Sequence, residues 1–156
     1  MHNFRGKRLV KHYTMKIAAK PETIFPLLCP EREKEWIDGW EYEMIYSKSG
    51  FAERNCVWKT NGPDEGDVYW VMTQCISPKA AEYVRFIPGL MIVSLLLELK
   101  AQDHDTTIIE VTHTFTGLSE QGNQTIDSAA ETVTKTWSRL ETALNHYVIT
   151  GSLLKS

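Results

Sequence analysis

Seven apolar residues near the end of the chain, Ile126, Ala130, Val133, Trp137, Leu140, Leu144 and Tyr147, follow one another at spacings of 4, 3, 4, 3, 4 and 3. Only a helix gathers such a series on one side, so the spacing predicts an amphipathic helix of about 25 residues. At 1.5 Å per residue it runs about 40 Å, enough to cross a whole curved sheet diagonally. Gly117 and Gly122 punctuate its start and Gly151 its end, which sets the helix from about Asn123 to about Thr150, with Trp137 buried near its middle. A stripe of that length needs an equally extended apolar surface to lie on.

The strands supply it. From Leu9 to Ile17 the odd positions Leu9, Tyr13, Met15 and Ile17 are apolar and the even ones include His12, Thr14 and Lys16, the pattern of a strand with one wet face. Pro21 then opens a short helical piece that Pro26 interrupts, and "PEREKEW" from Pro30 to Trp36 reads as a second short helix. From Glu41 to Phe115 five β runs are expected, separated by Ser-Gly, Asn-Gly, Ser-Pro-Lys, Pro-Gly and a polar "QDHDT" turn, as in an antiparallel meander. Tyr42, Met44 and Tyr46 share one face, and Cys56 and Trp58 share another. "DVYWVMTQCI" is too apolar on both sides to orient. Met91, Val93, Leu95, Leu97 and Leu99 form an unbroken apolar face, and the same parity in the next run turns Ile109, Val111, His113 and Phe115 inward. The fold class is therefore α+β: one face of an antiparallel sheet covered by a long C-terminal helix.

The segment "CPEREKEWIDGW", from Cys29 to Trp40, holds two of the five tryptophans although six of its twelve residues are charged. An indole gains far more from burial than a surface ion pair contributes, so Trp36 and Trp40 must lie across something apolar. Glu31, Glu33 and Glu35 are expected on the solvated side.

A chain of 156 residues with 42% hydrophobic and 24% charged residues suits one domain, taken as residues 1–156, with a substantial core. The net charge of -3 and a pI near 6.0 argue against a general nucleic-acid binder, which needs a basic face. Arg5, Lys7, Arg8, Lys11, Lys16 and Lys20 precede the first acidic residue, Glu22; they read first as a tail followed by the wet face of the first strand, and second as a surface for an anionic membrane or an acidic partner. Cys29, Cys56 and Cys75 show no metal-type spacing, and reduced thiols in a cytoplasm fit them better than a disulfide framework. No apolar run resembles a signal peptide or reaches a bilayer-spanning length, so neither export nor stable membrane insertion is expected.

The element order, with the stretches "IAAKPETIFPLLCPEREKEWIDGW", "YVRFIPGLMIVSLLLEL" and "VTHTFTGLSEQGN", resembles bacterial members of the SRPBCC superfamily, which groups START lipid-transfer, polyketide cyclase-like and pathogenesis-related proteins. The resemblance covers roughly Leu9 to Tyr147. It implies the helix-grip fold, a curved antiparallel sheet wrapped around the long helix with two short helices after the first strand. It also implies an apolar cavity between helix and sheet, with Trp36 and Trp40 closing one end. Such a superfamily shares an architecture and no catalytic motif, so function must come from the site.

On that architecture the cavity lining is expected from Trp36, Trp40, Tyr42, Met44, Trp58, Val93, Leu95, Leu97, Val111, His113 and Trp137. His113 is the polar member to watch, because a buried imidazole must find a partner; a satisfied core histidine, a ligand-orienting group and an acid–base catalyst are its three readings, in that order. In "YVRF", Val84 and Phe86 are expected inside and Arg85 outside, since an inward guanidinium needs an anion or an open cavity. No catalytic residue, metal site or cofactor is expected: the five histidines lack ligand spacing, and neither a phosphate loop nor a Gly-x-Ser-x-Gly elbow occurs. The partner implied is a small hydrophobic molecule, a lipid or an aromatic metabolite, which the protein binds or carries. A cyclase or aromatase-like enzyme and a co-chaperone-like interaction module are the alternatives, nucleic acid is not expected, and homodimerisation is left open.

Overall fold

The computed structural model describes residues 3–62 and 65–156. Strand β1 (Arg8–Ile17) leads into helix α1 (Pro21–Ile24), a 3-10 turn (Phe25–Leu28) and helix α2 (Pro30–Glu33). Strands β2 (Glu43–Tyr46), β3 (Val57–Gly62), β4 (Gly66–Ile76), β5 (Ala80–Ile87), β6 (Met91–Asp103) and β7 (Thr106–Gly117) follow, and helix α3 (Glu120–Thr150) closes the chain. The meander thus has six strands where the sequence reading counted five runs, because each of the five turns separates a strand from the next. All neighbours pair antiparallel in the order β1-β7-β6-β5-β4-β3-β2.

Local chemistry explains the breaks. Pro26 lacks an amide donor and the chain tightens from α1 into the 3-10 turn, and at Cys29 the backbone is extended before Pro30 restarts a helix. That helix stops at Glu33, short of Trp36, and continues only as turns. The side chain of Ser119 accepts from the Gly122 amide at 3.0 Å and donates to the Gly89 carbonyl at 2.6 Å, so α3 begins before Asn123 and is tied to the β5–β6 turn. Gly122 belongs inside this first turn because a Cβ there would lie 1.8 Å from the Leu90 carbonyl oxygen. Gly151, with φ of 73°, caps the other end and donates to the Tyr147 carbonyl.

The stripe lands as its spacing requires: Ile126, Ala130, Trp137 and Leu144 are buried, and Val133, Leu140 and Tyr147 half-buried. Beneath it, Met91, Val93, Leu95, Leu97 and Leu99 of β6 and Ile109, Val111, His113 and Phe115 of β7 are all buried. The register pairs Leu95 with His113 and Leu97 with Val111, which sets these side chains in rows across the concave face. In β4, Val68 and Met72 point inward, and a bulge after Met72 breaks the alternation. β2 is irregular after Met44, and Tyr46 is exposed rather than sharing a covered face with Tyr42 and Met44. α3 is tied to both ends of β1: Asn123 Oδ1 accepts from the Lys7 amide just before the strand, and Glu141 and Asn145 accept from the Lys16 and Ala18 amides at its end, at 2.7, 2.8 and 2.8 Å. Among the described residues no helix is long and apolar enough to cross a membrane.

Candidate functional site: an apolar cleft and the polar row beside it

At the short-helix end of the sheet lies a cleft of about 310 Å³. Phe25, Pro26 and Leu28 of the 3-10 turn, with Cys29 and Arg32, form one wall. Phe51 and Ala52, in the loop after β2, form a second, and Met72, Cys75 and Tyr83 of β4 and β5 the floor. The phenol of Tyr83 donates to the Leu28 carbonyl at 2.6 Å, which pins the floor to the wall. Burial, then the neighbouring Glu33 carboxylate, raise the Tyr83 phenol well above its usual range, so it remains a donor. Cys29, Cys56 and Cys75 are free thiols within electrostatic reach of this phenol, though far apart in sequence. Burial raises Cys56 and Cys75, which keeps them as thiols.

None of the expected lining residues lies on the wall of this cleft. Trp36, Trp58, Val93, Leu95, Leu97, Val111, His113 and Trp137 are buried, and Trp40, Tyr42 and Met44 are half-buried. Trp36 packs in the main core and donates to the Leu27 carbonyl at 2.8 Å, so it is a core residue and not part of a separate lid. Trp40 is nearer the surface, donates to the Pro30 carbonyl at 2.8 Å, and stacks on Tyr42 at 6.3 Å. The charged segment thus places its indoles by bonding them back to the carbonyls of its own preceding turns.

His113 faces inward, as its parity requires, and its Nε2 accepts from Trp137 Nε1 at 3.1 Å. Burial first, and then the charge of Arg85, hold its pKa down at about 4.

Two charged residues depart from expectation. Arg85, not Val84 or Phe86, belongs to the concave face: Phe86 is exposed, while the Arg85 side chain is only 14% exposed. Its guanidinium finds the required anion in Glu65, both of whose oxygens take Nη2 at 2.7 Å, and an aromatic face in Trp70 at 5.0 Å. Glu65 sits on the β3–β4 turn and joins Arg85 only through the folded hairpin, so no local signal showed it. Glu33 departs too. It is half-buried as a residue, yet its carboxyl is enclosed and has no ion pair among the described residues, and that burial pushes its acid up to about 8. Its neighbours behave differently. Glu31 bonds Lys34 and Tyr42, which lower its pKa, and Glu35 is drawn down to about 2 by Arg32 and Tyr147.

Register pairs Trp58 with Trp70, and Trp70 with Arg85. Trp58 and Trp70 stack at 5.7 Å, and Tyr83 stands edge-on to both. Trp58 Nε1 and Arg85 Nε are buried without an acceptor among the described residues, an arrangement that costs about 1–3 kcal/mol each when no other group completes it.

No protein-family model matches this chain, and no curated protein matches it. Solved structures do. Ara h 8.0201 superposes with a TM-score of 0.73 at 16% identity, over 92% of this chain and 99% of that one. Norcoclaurine synthase from Thalictrum flavum, in complex with dopamine and hydroxybenzaldehyde, gives 0.70 at 11% identity over 93% and 88%. The Mll3558 protein from Rhizobium loti gives 0.65 at 13% identity over 90% and 100%. These structures share with the chain the helix-grip fold, which the sequence resemblance implied.

Proposed function

From the helix-grip fold that this chain shares with the SRPBCC superfamily, we propose that it binds and carries a small, largely apolar molecule in the cleft between the short helices and strands β4 and β5. The cleft itself carries the reading: concave, walled by Phe25, Leu28, Phe51 and Met72, and crossed by few polar groups. Its volume, at the lower end of small-molecule sites, suits an aromatic metabolite of two or three rings better than a two-chain lipid. The norcoclaurine synthase structure, which holds two small aromatic molecules in the same fold, supports that choice.

Binding is favoured over catalysis because His113 and Tyr83 are bonded to partners that do not exchange protons, an indole N–H and a backbone carbonyl. An interaction module would instead use Tyr69, Phe86 and Ile92, exposed cross-strand neighbours on the convex face. The three free thiols fit a reducing compartment, and on that ground we place the protein in the cytoplasm.

The test is fluorescence titration with N-phenyl-1-naphthylamine, an apolar aromatic probe. The native protein should take it up, and Ala52→Trp, which fills the cleft from a half-buried loop position, should weaken uptake at least tenfold without lowering the melting temperature. No uptake by the native protein, or equal uptake by the filled variant, would overturn the proposal.

A further inference from the structure

Three neighbouring strands present Trp58, Trp70 and Arg85 in one cross-strand row on the concave face. The two indoles lie 5.7 Å apart with planes 9° from parallel, and the guanidinium carbon lies 5.0 Å from the Trp70 centroid. Trp70 is satisfied, since its N–H donates to Thr60 Oγ1 at 3.0 Å. The outer members are not: Trp58 Nε1 and Arg85 Nε are buried donors without an acceptor among the described residues. Trp58 is 2% exposed, so bulk water does not reach it. Glu65 occupies Nη2 with both oxygens and leaves Nε turned to the interior. An indole and a guanidinium only donate, so whatever completes this row must accept. The row adjoins the cleft, because Tyr83 on the cleft floor stands edge-on to both indoles at 5.7 and 6.5 Å.

We propose that this row is the polar subsite of the ligand, which is an aromatic molecule bearing acceptor oxygens that pair with Trp58 Nε1 and Arg85 Nε while its rings lie against Tyr83 and the cleft. The inference rests on the ligand-binding reading above and adds the chemical class. Apolar walls accept any flat hydrophobe, whereas two unpaired donors reward a molecule with oxygens over its hydrocarbon counterpart.

Two probes that share one ring system test it: 8-anilinonaphthalene-1-sulfonate carries acceptor oxygens and N-phenyl-1-naphthylamine does not. The native protein should bind the sulfonate at least tenfold more tightly. Trp58→Phe, which keeps a ring in the stack, and Arg85→Met should each reduce sulfonate affinity about tenfold and leave the other probe within about twofold. Should either variant fail to fold, the native protein decides, since its Trp58 indole proton resonance should move downfield when the sulfonate probe is added. Equal affinities for the two probes with that resonance unmoved would overturn the subsite and leave the cleft reading standing. Failure of both probes to bind would overturn both.

Discussion

Trp137 Nε1 donates to His113 Nε2 at 3.1 Å, joining the middle of α3 to β7. An indole has no acceptor, so this bond requires a neutral imidazole protonated at Nδ1, consistent with a pKa held at about 4 by burial and Arg85. The unfolded imidazole titrates near 6.5, so between about pH 4 and 6.5 the unfolded chain binds more protons and stability falls as pH is lowered. The full effect is on the order of 3 kcal/mol at about 1.4 kcal/mol per pH unit.

Glu33 works in the opposite sense, because its folded acid is raised to about 8 from an ordinary 4.5, and stability falls as pH rises between those values. The two partly cancel in the native protein. His113→Phe should therefore lose stability as pH rises from about 5 to 8, and Glu33→Gln should gain it from about 4 to 6.5, both read by urea unfolding. Slopes of the same sign in the two variants would refute the assignment.

Trp137→Ala removes the indole that fills the contact between helix and sheet and takes from His113 its donor. The expected loss is about 3–5 kcal/mol, or a melting temperature lower by at least about 6 °C. An unchanged melting temperature would contradict the packing described.

The paired indoles of the charged segment should separate. Trp36→Ala, in the core, should cost about 3–5 kcal/mol, and Trp40→Ala, half-buried against Tyr42, no more than about 2 kcal/mol. Equal losses in thermal unfolding would show that both belong to one core.

Gly122→Ala distinguishes helix propensity from close approach. Propensity alone favours alanine by about 1 kcal/mol, but the new Cβ would meet the Leu90 carbonyl at 1.8 Å. The variant should be less stable by about 1–3 kcal/mol, and a stabilised variant would show that the β5–β6 turn moves away freely.

Much of the frame was legible because periodicity acts locally. The stripe from Ile126 to Tyr147 and the parity of β6 and β7 each report one face of one element, and His113 followed from its place among Ile109, Val111 and Phe115. What escaped was set by partners distant in sequence. Arg85 points inward because Glu65 and Trp70 arrive from the adjacent hairpin, and the cleft exists because the 3-10 turn, the loop after β2 and the bulged β4 meet. Glu33 sits among charged residues that are solvated, and the burial that separates its carboxyl from theirs has no signature in the local sequence.

The pairing of β1 with β7 has a consequence during synthesis. Arg8 meets Thr116 and Ile17 meets Thr107, so the first strand emerges from the ribosome 90 to 108 positions ahead of its partner. At about 5–20 residues per second it waits on the order of ten seconds as an unpaired strand with an apolar side. The acceptors at its end come later still, since Glu141 and Asn145, which take the Lys16 and Ala18 amides, lie in α3. Arg8, Lys11 and Lys16 lie along that strand, with Arg5 and Lys7 just before it. Like charges on neighbouring copies repel, so a strand that waits with this basic charge is a poor template for pairing with another of its kind until the sheet takes it in.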